Sequence, residues 1–403
     1  QTLVNQACLD IVAGRAEVVL LAGAETWRTR KQQKTNGIRP NWTSQDESVA
    51  VPPGAEDAVD MSSPAQDRIK LALPSHVYPL FEEALRVAAG EAPDDHRRRI
   101  AELWARFNEV AQHNPHAWSN RAYSADEIGT AGPQNRMISW PYPKLMNSNN
   151  MVDQGAALIL TSVGKAEQLQ IPRDRWVFPY AGTDAHDTYL IGERASFSGS
   201  PAIRIAGRRV LELTGLGIDD IDAVDVYSCF PSAVQVAARE LGLALDDRAR
   251  PLTVTGGLTF AGGPWNNYVS HSIATMAERL AANPGQVGLV TANGGYLTKH
   301  SFGIYSTEPP VREFRWEDVQ SEVDAEPTVT AEDEWSGTGT VESWTTPVTR
   351  EGAAEKVFVS VRTPSGSRAL AVITDASQAE ASTHEDIAGA AVTVKPDGTA
   401  GLE

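Results

Sequence analysis

Cysteine is scarce in this chain: Cys8 and Cys229 are the only two among 403 residues. They form neither a metal-ligand spacing nor a disulfide framework, so no metal is expected and a reducing cytoplasm is the compartment they suggest. Long apolar runs are lacking as well: VVLLAGA at 18–24 is far too short to span a bilayer. Basic residues are outnumbered, 35 Lys and Arg against 52 Asp and Glu, and the one dense basic block is HRRR at 96–99. The net charge of −17 therefore disfavours nucleic acid as a partner. A small anionic ligand stays open, since it needs only a local pocket of amides and a few cations. Neither Gly-x-Gly-x-x-Gly nor a Walker pattern occurs, which removes the common dinucleotide and P-loop cradles. Asn41-Trp42-Thr43 matches a glycosylation sequon and, with no secretory signal in view, is read as chance.

What is present is an ordinary globular composition, 41% hydrophobic and 22% charged, in a chain long enough for a large core. Residues 3–13 carry a helical pattern that Gly14 closes. The run EVVLLA at 17–22 predicts a strand buried on both faces. The chain opens on Gln1 inside a helix-like stretch with no cap before it, which predicts further sequence upstream. From 27 to 150 the periodicity breaks, with helices at 76–89 and 95–112 and rigid turns at 114–118 and 140–143, as in a long insertion. Regular alternation then returns. Residues 153–171 read as strand then helix, followed by strand 176–182, helix 195–216, strand 223–228, helix 231–243, helix 271–282 and strands 286–292 and 302–307. That order predicts an α/β fold with a parallel or mixed sheet. Beyond Pro309-Pro310 the chain turns acidic and rich in Val, Thr, Ser and Gly. KVFVSVRT (356–363) and RALAVITD (368–375), about a Ser-Gly turn, predict a small β-barrel or sandwich.

The stretch TGGLTFAGGPWNNYVSHSIATM at 255–276 is a glycine-rich loop feeding an apolar helix. Together with AGRAEVVLLAGAE (13–25), VDQGAALIL (152–160), DVYSCFPSA (225–233) and VTANGGYLTKHS (290–301), it carries a likeness in order and spacing. On these stretches the chain resembles the thiolase superfamily, most closely its actinobacterial thiolase-like proteins with an additional C-terminal domain. The resemblance implies a layered αβαβα core with its N-terminal part missing and an appended barrel of OB-like type. It divides the chain into a remnant of the N-terminal half (1–26), an inserted loop domain (27–150), the end of that half (151–172), the C-terminal half (173–310) and the appended domain (311–403).

The resemblance also implies an acyl-CoA acyltransferase, of the acetyl-CoA acetyltransferase kind, in lipid metabolism. Such chemistry needs a thiolate, a base to activate it, a second acid or base, and oxyanion donors. The family's nucleophile falls upstream of Gln1. Cys8, in mid-helix, reads as a buried inert residue. The family's Asn or His of the second motif is Tyr227 here, in Tyr227-Ser228-Cys229-Phe230. A phenol there can donate to an oxyanion, while the alternative is that Tyr227 caps a strand and Cys229 simply packs. The family's Gly-His-Pro becomes Gly262-Gly263-Pro264, so the imidazole is replaced by nothing at Gly263. His271 on the next helix turn could supply one instead, or could merely pack. The Cys-x-Gly element becomes Ala292-Asn293-Gly294, leaving Asn293 as an oxyanion donor and His300 on the following turn as a further candidate.

Coenzyme A or an acyl-CoA is the expected ligand, with no covalently bound cofactor. Arg28, Arg30, Lys31, Trp42, Gly262, Gly263 and Asn266 are its candidate contacts, though such a cationic cluster is usually a solvated face. A monomer or homodimer is expected. Losing a general base costs ~10²–10⁴-fold in rate, so two alternatives stand beside acyl transfer. One is a non-catalytic acyl-CoA binder. The other is cysteine-independent retro-aldol cleavage of a β-hydroxyacyl-CoA, motivated by Tyr227.

Overall fold

Apolar runs and amphipathic stretches alternate through the second half of the chain, and they assemble into a five-stranded mixed sheet. The computed structural model describes residues 1–49 and 59–403. The strand order is Ala223–Asp225, Val287–Gly294, Lys299–Ser306, Phe178–His186 and Arg315–Asp318, with parallel pairing at both edges and antiparallel pairing in the centre. Helices Pro201–Thr214 and Pro231–Leu241 pack together, the first against the sheet. Helices Thr2–Val12 and Tyr268–Ala282 also pack on the sheet, and both reach a two-stranded antiparallel ribbon, Val18–Thr26 with Asp153–Thr161. The result is a layered α/β core. Among the described residues no helix is long and apolar enough to cross a membrane.

Two expectations need correction. The strand at 17–22 is not buried on both faces: among the described residues it pairs with one strand, and Leu20 and Ile159 of the ribbon are 64% and 71% exposed. An apolar run records propensity for a strand, not the number of its neighbours. The helix expected at 195–216 begins only at Pro201, because Ser200 caps it, its side chain accepting the Ile203 N–H, and Pro201 fits the first helical position.

The insertion contributes helices Pro74–Ala89 and Pro93–His113, each started by a proline, and also Trp27–Thr35, which the sequence pattern did not reveal. Its interior holds a buried polar cluster. Glu82 accepts from Tyr142 Oη and Gln235 Nε2 and meets His96 Nε2, each at 2.5 Å. Tyr142 Oη also lies 3.0 Å from Ser232 Oγ, which ties the insertion to helix Pro231–Leu241.

At the C-terminus five strands close on themselves: Gly337–Pro347, Val357–Arg362, Arg368–Ile373, Thr399–Leu402, Ala391–Val394 and back to the first. Its core includes Trp344, Val359, Val361 and Ile373. Strand Arg315–Asp318, within the range expected for this barrel, instead edges the central sheet. Two buried arginines tie the barrel to the rest. Arg368 pairs with Glu342 at 2.7 Å and donates to the carbonyls of Gly192 and Arg194. Arg86 of the insertion pairs with Asp386 at 2.7 Å.

Candidate functional site

A cleft of about 860 Å³ opens between the insertion and the central sheet. Its walls come from Tyr78 of the insertion, the segment 144–151, Tyr227, Cys229 and Phe230, the glycine loop through Leu258, Thr259 and Phe260, and Asn293 with the turn after it. The volume lies in the range of small-molecule sites. Lys144 is the one cation among the described lining residues, and none of those residues is a carboxylate or a histidine.

The glycine loop is fixed by a buried carboxylate. Asp225 accepts the N–H groups of Val254 and Thr255 at 2.9 and 3.1 Å and the hydroxyls of Thr253, Thr255 and Tyr268 at 3.0–3.1 Å. Burial raises its pKa against the pull of these donors. Gly256 (φ +97°) passes so close to the insertion that a Cβ would lie 2.3 Å from Ala111 Cβ, so no larger residue fits.

Cys229, Asn293 and Tyr78 meet on the cleft wall. Asn293 Nδ2 lies 2.9 Å from Tyr78 Oη and 3.7 Å from Cys229 Sγ. Tyr78 Oη also accepts the Leu297 N–H at 2.9 Å, and its ring stacks on Phe230 with centroids 4.4 Å apart. Burial pushes the Cys229 thiol up to about 12, so at neutral pH it is a thiol and not a thiolate. Tyr227 lines the same cleft, edge-on to Tyr268 at 5.3 Å, and burial likewise raises its pKa. Cys8 is buried in the opening helix with its thiol pushed up to about 12.

A side chain at Gly263 would have to displace the end of the Asn150 side chain. A Cβ there would lie 2.9 Å from Asn150 Oδ1 and 3.4 Å from the carbonyls of Asn149 and Leu258. The backbone N–H of Gly263 donates to Asn149 O at 2.9 Å, and the Asn149 N–H donates to Leu258 O at 3.0 Å. Gly262 (φ +111°) is equally confined, since a Cβ would meet Gln154 Oε1 at 2.1 Å. Neither glycine lines the cleft, but Asn149 and Asn150, which they support, do.

Of the remaining candidates, Asn266 and His300 lie at or beside the cleft and the others do not. Asn266 lines the cleft beside Trp265, whose ring meets that of Trp27 at 6.2 Å. Arg28, Arg30 and Lys31 lie on the exposed helix Trp27–Thr35 and do not line the cleft. Arg28 lies over Trp118 and Arg30 over Trp27, at 5.5 and 5.3 Å. Trp42 is exposed and apart from the cleft. His271 does not reach it either. Its Nε2 takes the Asn267 amide at 3.1 Å, on the side facing Gly23 of the ribbon, and burial lowers its pKa. His300, opposite Asn293 in the ladder, lines a small cavity with Tyr227 and Asn293 that adjoins the cleft, with Nε2 3.2 Å from Leu297 O and 3.7 Å from Asp187 Oδ2. Tyr78, Asn149, Asn150 and Lys144 were missed from sequence. Only the polar run Asn147-Ser148-Asn149-Asn150 before a strand offered a signal, and such runs ordinarily mark loops.

Comparison with known proteins bears on the fold. The family of thiolase-like protein type 1 additional C-terminal domains matches residues 318–399. The chain is similar to a monomeric SCP2-thiolase-like protein type 1 from Mycobacterium smegmatis, with 34% identity and a TM-score of 0.84 over 100% of this chain and 81% of that one. Acetyl-CoA acetyltransferase of Syntrophomonas wolfei subsp. wolfei is 30% identical over 145 residues, 36% of this chain. The match spans only 34% of that relative's length. An Ltp2-ChsH2(DUF35) aldolase shares the fold at 20% identity and a TM-score of 0.56, over 77% of each chain.

Proposed function

Because the chain belongs to the SCP2-thiolase-like proteins of type 1, we propose that its cleft binds a coenzyme A thioester and holds it without thiolysis. One observation carries this reading. The described residues lining the cleft offer amide and hydroxyl donors around apolar walls and no carboxylate or imidazole, and the imidazole of His300 sits in the small cavity behind Tyr227 and Asn293, facing Leu297 O and Asp187. A carbonyl can be held by such donors, but activating a thiol requires a base. Cys229 is a poor substitute nucleophile, since its thiol is pushed up to about 12. Lys144 offers a positive charge to an anionic part of the ligand. Calorimetry with acetyl-CoA tests the binding, and absence of heat at millimolar ligand rejects it.

Acyl transfer is the second reading. It is favoured by the likeness to acetyl-CoA acetyltransferase and by Cys229, Asn293 and Tyr78 sharing one wall of the cleft. A CoA-release assay with acetoacetyl-CoA separates the two: turnover supports acyl transfer, and binding without release supports a holding role. Retro-aldol cleavage would need Tyr227 to act on a β-hydroxyl, so loss of that cleavage in Tyr227→Phe is its test.

A further inference from the structure

We infer that the carboxamide of Asn150, with that of Asn149 beside it, grips the carbonyl oxygen of the bound thioester where Gly263 leaves no side chain. This rests on the reading of the cleft as a coenzyme A thioester site. Both asparagines line the cleft. The orientation of Asn149 is set by its neighbour: the Met151 N–H can only donate, and it lies 3.2 Å from Asn149 Oδ1. Ser148 Oγ donates to Asn150 Oδ1 at 3.3 Å. Both oxygens are thus engaged, and among the described residues neither amide nitrogen has a protein acceptor. Two N–H₂ groups therefore remain for a ligand acceptor.

Their placement is fixed from below. The Gly263 N–H to Asn149 O bond and the Asn149 N–H to Leu258 O bond clamp the asparagine segment onto the glycine loop. The Asn150 carboxamide meets the glycine through its oxygen, Oδ1 lying 2.9 Å from where a Cβ at 263 would stand. Gly263 carries no side chain, and the carboxamide of Asn150 is the group its Cβ would meet first. The exchange has a chemical consequence. An imidazole can donate a hydrogen bond and also accept a proton, whereas a carboxamide donates through its N–H₂, accepts hydrogen bonds through its oxygen and takes up no proton at neutral pH. The carbonyl oxygen keeps its donors, and the site keeps no base at this point.

The experiment compares three probes on the whole chain by isothermal titration calorimetry: acetyl-CoA, its thioether analogue S-ethyl-CoA, which lacks the carbonyl oxygen, and free CoA. The wild-type chain should bind acetyl-CoA about 3- to 10-fold more tightly than the thioether, as expected for one or two hydrogen bonds. Asn150→Ala should abolish that preference while leaving the thioether and free CoA unchanged. Asn150→Asp, which keeps the shape and replaces the donor by an acceptor, should do the same or reverse it. Unfolding midpoints within a few degrees of wild type establish that both variants fold. If the variants weaken all three probes equally, or leave the acetyl-CoA preference intact, the assignment of Asn150 falls and the cleft remains a coenzyme A site. If the wild-type chain binds none of the probes, the reading of the cleft falls and this assignment with it.

Discussion

The hydroxyl of Tyr78 lies 2.9 Å from the side-chain amide of Asn293, although 215 residues separate them. The contact joins the insertion to the end of a central strand and orients the one amide of that strand that faces the cleft. Tyr78 is buried, and its oxygen is the acceptor for the equally buried N–H of Leu297. Tyr78→Phe removes that acceptor and leaves the N–H unpaired, which should cost about 1–3 kcal/mol. Denaturant unfolding measures it. Unchanged stability would mean that water replaces the hydroxyl and that Asn293 is held by something else.

A side chain at Gly263 would press on the Asn150 carboxamide, whose Oδ1 lies 2.9 Å from the Cβ position. Gly263→His should destabilise the chain by roughly 1–3 kcal/mol through overpacking. Combining it with Asn150→Gly should recover part of the loss, so the two changes should be non-additive in a double-mutant cycle. Strict additivity in thermal or denaturant unfolding would show that the loop moves aside and that the two side chains do not compete.

A buried thiol reacts slowly because the thiolate is the reactive form. With Cys229 and Cys8 both pushed up to about 12, iodoacetamide at pH 8 should modify the folded chain roughly 10³-fold more slowly than a free cysteine. Mass spectrometry over time follows this. Rapid labelling of Cys229 alone would reveal an activated thiol and favour acyl transfer.

Elements with local causes were legible in the sequence. Prolines start helices Pro74–Ala89, Pro93–His113 and Pro231–Leu241. The Ser365-Gly366 turn, with Gly366 at φ +85°, sets the antiparallel pairing of Val357–Arg362 with Arg368–Ile373. Tyr227, Cys229 and Asn293 could be placed at the cleft because motif positions preserve geometry even when the side chain changes. The rest depends on contacts between distant segments. No local pattern announces that the Tyr78 hydroxyl will find Asn293, or that Asn150 will fill the space beside Gly263. His271 shows the converse: one helix turn beyond the loop points it to the ribbon, so sequence proximity to the glycines did not bring it into the cleft.

Arg368 is the bolt of the C-terminal barrel. Its side chain is wholly buried, lies 4.3 Å from the Phe197 ring centre, pairs with Glu342 and reaches the carbonyls of Gly192 and Arg194. Arg368→Ala strips donors from these groups at once. Glu342, on the barrel's own strand Gly337–Pro347, keeps Arg362 at 2.6 Å, so the loss falls on the buried carbonyls of Gly192 and Arg194 and should cost about 1–3 kcal/mol. Limited trypsin digestion should then release a fragment corresponding to the barrel well before the core is cut, whereas wild type resists. Equal digestion of the two would place the docking energy in the apolar contacts instead.

Acid should loosen the region behind the cleft before it touches the cleft itself. Burial alone would raise the pKa of Asp187, but the guanidinium of Arg194 at 3.1 Å, with His300 and the Ser200 hydroxyl, holds it down to about 2. A carboxyl depressed on folding contributes stability that is full above its unfolded pKa near 4 and is lost as the pH falls towards 2. For a shift of this size the contribution is roughly 2 kcal/mol. Unfolding free energy measured from pH 5 down to pH 2 should therefore fall more steeply in wild type than in Asp187→Asn, which carries no titrating carboxyl at this point. The variant should be the less stable of the two at pH 6, because Arg194 is left buried beside a neutral amide. Parallel pH profiles for the two chains would show that Asp187 titrates in the folded chain as it does in the unfolded one.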